Sequence, residues 1–144
     1  MINYHPLNFE QSEEVYNTCK QKIEAGACYN NIFSVMMASK TKLNSKQWRI
    51  AYGYYAVQGN IMARHCFIVN EQGEAIDPTL LTHKNRVLNE DEEYQSFYLI
   101  DNLNEYIELI SDSYSNPDLL SSLKEKEQEF FEWARSNDKI LIGQ

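Results

Sequence analysis

Three side chains able to run thiol chemistry occur in the order Cys28, His65 and Asp77. Cysteine catalysis needs a thiolate, a base within hydrogen-bond reach of it, and a third group that fixes the imidazole. The stretch Gly26-Ala27-Cys28-Tyr29-Asn30-Asn31-Ile32-Phe33 reads as a loop delivering a cysteine onto the first turn of a helix. A helix start favours a thiolate through its partial positive charge and free N–H groups. The backbone N–H of Cys28 would be a first donor to an oxyanion. Gln21 is spaced to serve as a second donor, and is spaced equally well as a residue of an outer helix. Tyr29, Trp48, Tyr52 and Tyr54 are the aromatics that could line a cleft beside the thiol. Without chemistry, His65 is a core histidine with its hydrogen bonds met, and Asp77 caps the turn at Pro78. A metal site from Cys28, His65, Cys66 and Asp77 is poorly served, because His65 and Cys66 are adjacent in a strand and point to opposite faces. His5 and His83 read as solvent-facing loop histidines.

The elements that must position these residues follow from periodicity. From Asn8, with Gln11 placed for a capping box, Phe9, Val15, Tyr16, Cys19 and Ile23 keep helical spacing, and Gly26 suits the end. Cys19 on that apolar side reads as a small buried hydrophobe. The second helix, Cys28 to Ser39, is apolar on nearly every side, which predicts a buried central helix and a rigid mount for Cys28. Thr41 to Ser45 reads as a loop. Gln47 to Gln58 and Ile61 to Val69 alternate as strands joined at Gly59-Asn60, and Gly53 marks a bulge or a close backbone approach.

The next turn carries a consequence for the chemistry. Asn70-Glu71-Gln72-Gly73, taken as a type I turn closed by a left-handed Gly73, sets Asn70 opposite Glu74 and Phe67 opposite Asp77. His65 and Asp77 are then diagonal neighbours on one face, with Cα atoms roughly 7 to 8 Å apart. A slip of one residue would separate them. Further on, Leu80 to Glu93 reads as a polar surface excursion ending in Glu90-Asp91-Glu92-Glu93. Tyr94 to Ile100 reads as a strand, Asp101 as the cap of a short helix, and Asn116-Pro117 as the opening of the last helix.

Cys28-Tyr29-x-Asn31, the strand with Tyr52-Gly53-Tyr54, His65-x-Phe67, and Gly73-x-x-Ile76-Asp77-Pro78-Thr79 together resemble the papain-like and transglutaminase-like cysteine hydrolases, closest to small bacterial and phage members. The resemblance covers about residues 26 to 100. Members commonly carry a small residue and a tryptophan after the histidine, where this chain has Cys66 and Phe67. The resemblance implies an α+β fold in which a Cys-bearing helix packs on a small antiparallel sheet with flanking helices. It further implies acyl transfer at Cys28 with His65 and Asp77: hydrolysis of a peptide or isopeptide, deamidation or transamidation of a protein or peptide substrate, without cofactor or metal.

Bulk properties narrow the classes. The 144 residues, 43% apolar and with no linker or repeat, suit one domain spanning 1–144. A net charge of −8 disfavours nonspecific nucleic-acid binding, which needs clustered cations. Three scattered cysteines make no disulfide framework, and neither a leader nor a membrane-length apolar run is evident, so a cytoplasmic protein is expected. The competing reading is an acidic interaction or inhibitor protein on the same scaffold. It would use Glu90 to Glu93 or the acidic first helix, with Cys28 dispensable.

Overall fold

In the computed structural model, which describes residues 2–83 and 94–143, the chain is an α+β fold with five α-helices and a mixed six-stranded sheet. The strands are β1 (Asn3–His5), β2 (Trp48–Gln58), β3 (Ile61–Asn70), β4 (Ala75–Ile76), β5 (Tyr94–Ile100) and β6 (Ile140–Ile142). The helices are α1 (Phe9–Cys19), α2 (Cys28–Ala38), α3 (Lys40–Asn44), α4 (Leu103–Asp112) and α5 (Lys124–Ser136). The sheet order is β1-β5-β2-β3-β4, antiparallel throughout, with β6 added parallel to β3. The acidic run Glu90 to Glu93 lies outside the described residues.

The sheet curls back on itself. β1 pairs with β5 through His5↔Tyr94, yet immediately afterwards Ala75 N–H donates to Pro6 O and Asn8 N–H donates to Ala75 O, both at 2.8 Å. Two residues of chain span at most about 7 Å, so the β5 and β4 ends of the strand order must lie close together. His5 seals this closure, its Nδ1 donating to Gly73 O and its Nε2 accepting from Ser96 Oγ, each at 2.8 Å. It is therefore 5% exposed rather than solvent-facing, and burial pulls its pKa below the usual imidazole value. His83 is exposed, as its sequence context suggests.

The curled sheet has two unlike faces. Ala51, Phe67, Val69, Ala75 and Tyr94 pack together on the inner face. The outer face carries Ile50, Tyr52, Tyr54, Met62, Cys66 and Ile68 into the main core, where α2 contributes Cys28, Ile32, Val35 and Met36. With Asn31 these α2 residues are buried at spacings of three and four, the stripe of a helix pressed on a sheet. Gly53 lies where β2 and β5 shift register, and a Cβ there would come within 1.7 Å of Gln95 O. Only glycine lets the strands approach so closely.

Several local expectations are corrected. Residues 40–44 form the short helix α3 rather than a loop, burying Leu43 against the core. Asn102 rather than Asp101 caps α4, accepting from Glu105 N–H at 2.8 Å, while Asp101 pairs with Lys46. Pro117 does not open the last helix. Leu119 adopts φ 55, interrupting any helix there, and α5 starts at Lys124. Gly26, at φ 74, lies beyond α1, which ends at Cys19 and is followed by a 3-10 turn, Lys20–Lys22. Cys19 is half-buried rather than buried.

Candidate active site

The β3–β4 turn has the expected register. Ile68↔Ile76 and Val69↔Ala75 pair, Asn70 N–H donates to Glu74 O at 3.0 Å, and Gly73 takes φ 78. Asn70 locks the turn from inside, its Oδ1 accepting the N–H groups of Gln72 and Glu74. This register delivers Asp77 to His65, whose Nε2–H donates to Asp77 Oδ2 at 2.9 Å. Both side chains are buried, at 8% and 2% exposure.

Cys28 lies beside the same imidazole. β3 has β2 along one edge, and its other edge is paired with β6 at Ile61–Ala63 and with β4 at Ile68–Val69. Between them, positions 64–67 have no strand partner on that edge among the described residues. Cys28 lies close enough to the His65 ring to raise its pKa, and Asp77, on Nε2, leaves Nδ1 open. It also feels Cys66, although His65 and Cys66 point to opposite faces.

The electrostatics favour a charged histidine. Burial works against the imidazolium, but the Asp77 carboxylate and then Cys28 outweigh it, and the His65 pKa is raised well above the ordinary value. Cys66 behaves differently, since burial first of all pushes its thiol well up and keeps it protonated. No side chain caps the start of α2 behind Ala27, nor the starts of α3 and α5, whereas Asn8 and Asn102 cap α1 and α4. The first N–H groups of α2 are therefore not consumed by a side-chain cap.

Two residues of the motifs hold the cysteine helix against the aspartate. Asn31, 1% exposed, accepts from Glu24 N–H through Oδ1, and its Nδ2 donates to Glu24 O and Thr79 Oγ1 at 2.8 and 2.9 Å. One amide thus ties the loop before Cys28 to the 3-10 turn Pro78–Thr82 after Asp77. Ser12 of α1 holds Asp77 through its main chain, Ser12 Oγ accepting Asp77 N–H at 2.9 Å. Tyr94 is a residue that sequence reasoning missed. Its hydroxyl donates to Asp77 Oδ2 at 2.7 Å.

The proposed cleft aromatics do not line one cleft. Tyr52 and Tyr54 are fully buried on the outer face, their hydroxyls donating to Pro117 O at 2.6 Å and Glu127 Oε2 at 2.5 Å. They are core residues, because strand alternation turns them away from His65, which pairs with Gly53. Trp48 is 9% exposed and lies beyond the far end of α2 under the Lys42 ammonium, bordering a cavity of about 500 Å³ that Cys19, Ser39 and Glu71 also line. Tyr29 alone of the four stays beside Cys28 half-exposed, stacked on Tyr52 and accepting from Arg64 Nη1 at 3.1 Å. Gln21 is exposed in the 3-10 turn after α1.

Among the described residues no group of three or more His, Cys, Asp or Glu side chains is arranged to hold a metal ion, and no helix is long and apolar enough to cross a membrane. No protein family, curated relative or solved structure matches this chain significantly.

Proposed function

We propose that the protein is a thiol-dependent acyl-transfer enzyme of papain-like or transglutaminase-like design, acting on a peptide, isopeptide or side-chain amide of a protein or peptide substrate. The observation that carries this reading is the chain Cys28, His65, Asp77, with His65 Nε2 on Asp77 Oδ2 at 2.9 Å and Cys28 close enough to the imidazole to raise its pKa. Such a chain is the arrangement that nucleophilic thiol catalysis requires.

The chemistry proceeds in two halves. The Cys28 thiolate adds to the amide carbonyl carbon, and the carbonyl oxygen becomes an oxyanion facing the uncapped N–H groups of the α2 start. The His65 imidazolium then gives its Nδ1 proton to the leaving nitrogen as the C–N bond breaks, leaving a thioester on Cys28 and a neutral imidazole. Water or an amine, losing a proton to His65, attacks the thioester and expels the thiolate, so that thiolate and imidazolium are restored. Water gives hydrolysis or deamidation, and an amine gives transamidation. Asp77 keeps Nε2–H directed away from the thiol in every step. Three free thiols suit a reducing compartment such as the cytoplasm.

A generic acyl donor tests this reading without knowledge of the substrate. With p-nitrophenyl acetate the protein is expected to release a burst of p-nitrophenolate and to carry a transient acetyl group on Cys28 by mass spectrometry. Cys28→Ser and His65→Ala should both abolish the burst. Acetylation distributed over lysines, with no dependence on Cys28, would contradict it.

A further inference from the structure

His65 is approached by groups from several elements: Asp77 from the turn after β4, Cys28 from α2, Tyr94 from β5 and Tyr55 from β2. Its neighbours on β3, Arg64 and Cys66, turn to the other face. Of these groups Tyr94 contacts the ring only at 6.3 Å between centroids, yet its hydroxyl donates to the same oxygen, Asp77 Oδ2, that accepts from His65 Nε2. The phenol is fully buried, and its ring is fixed by Phe67 at 5.1 Å and Tyr55 at 5.9 Å. An ionised carboxylate only accepts hydrogen bonds, and each donor it accepts draws charge from the others.

We propose that Tyr94 is a positioning residue of this site: its hydroxyl holds Asp77 Oδ2 in line with His65 Nε2 and takes a share of the negative charge that Asp77 presents to the imidazole. The inference rests on the reading of Cys28, His65 and Asp77 as a reactive triad, and deepens it. Through this sharing Tyr94 sets how long the imidazolium survives as pH rises. Too strong a pull from Asp77 would leave a histidine unwilling to give its proton to a leaving group, and general acids work best with a pKa near the operating pH. A structural phenol would merely satisfy its own buried hydroxyl.

Tyr94→Phe keeps the ring and removes the hydroxyl. The expected result is a His65 titration midpoint, followed by NMR of the imidazole, that moves up by about half to one pH unit as the carboxylate loses the phenol's hydrogen bond. The alkaline arm of the Cys28 acylation profile should move with it. In an Asp77→Asn background, where no carboxylate charge is left to share, the same substitution should leave the midpoint in place. A Tyr94→Phe protein whose melting temperature falls while the His65 midpoint stays put or drops would overturn the proposal. The NMR titration reads His65 whether or not Cys28 proves reactive, so failure of the triad reading, seen as an unreactive Cys28 in the parent protein, is distinguished from failure at Tyr94.

Discussion

Arg64 and His65 are neighbours on β3, and each enters a buried ion pair on its own face of the sheet. Arg64 Nε meets Glu127 Oε2 at 3.0 Å on the helix-covered face, with side chains 1% and 4% exposed. His65 meets Asp77 at 2.9 Å on the inner face. Each carboxylate also accepts a tyrosine hydroxyl, from Tyr54 in one case and Tyr94 in the other. The pairs differ in what the cation can do. Burial disfavours the charged Arg64, but Tyr29 and Glu127 more than offset it and raise its pKa, so the guanidinium keeps its proton at any working pH. Its remaining bonds, to Tyr29 and to Asp118 O, tie α2 and the loop before α5 to the sheet. His65 has Cys28 beside its ring instead, and its charge is one that pH can remove. The same ion-pair design is structural beside one residue and, in the function proposed above, chemical beside the next.

Removing one carboxylate at a time separates the two. Glu127→Ala leaves Arg64 charged, buried and unpaired, and is expected to cost about 3–5 kcal/mol in urea denaturation. The fraction still folded should label at Cys28 as before. Asp77→Asn is expected to cost less stability, about 1–2 kcal/mol, because the amide still accepts hydrogen bonds. It should slow Cys28 labelling at neutral pH by about 10- to 100-fold through loss of the oriented imidazolium. Equal effects of both substitutions on labelling would erase the distinction.

A pH series sharpens it further. The folded His65 pKa lies above the unfolded value of about 6.5, so the stabilisation from its pair is complete below about pH 6.5 and is lost as pH rises through the folded pKa. The stability gap between the parent protein and Asp77→Asn should therefore shrink as pH rises above about 6.5 and through the folded His65 pKa, while the gap for Glu127→Ala stays level. The smallest effect is expected at Thr79→Val, which removes one hydrogen bond to Asn31. About 1 kcal/mol of stability is expected to go, with a few-fold slower Cys28 labelling, measured by melting and by mass spectrometry.

What could be read from the sequence was local. The turn Asn70–Gly73 encodes its own register through a left-handed glycine and an asparagine that bonds two following N–H groups, and that register carries Asp77 to His65. Gly53 announced a close strand approach for a local reason as well. The tyrosines went astray at a single residue. Gln58↔Ile61 continued without interruption would place Tyr54 opposite His65, but the pairing shifts between Gln58 and Ala56, where Val57 is the extra residue. That bulge turns Tyr52 and Tyr54 onto the outer face and sets Gly53 opposite His65. His5 and Tyr94 could not have been placed at all, because their partners Gly73, Ser96 and Asp77 come together only when distant strands close the sheet.

The most direct test compares the three thiols of the native protein under limiting iodoacetamide at neutral pH, with each site followed by mass spectrometry. Cys19 is half-buried, Cys28 is 7% exposed and Cys66 is fully buried. Access alone would label Cys19 first. If His65 and Asp77 activate Cys28, it should be alkylated fastest despite its lesser exposure, and His65→Ala should remove that lead. Labelling that follows exposure, with Cys19 first and Cys28 as slow as Cys66, would contradict the assignment of Cys28 as the nucleophile.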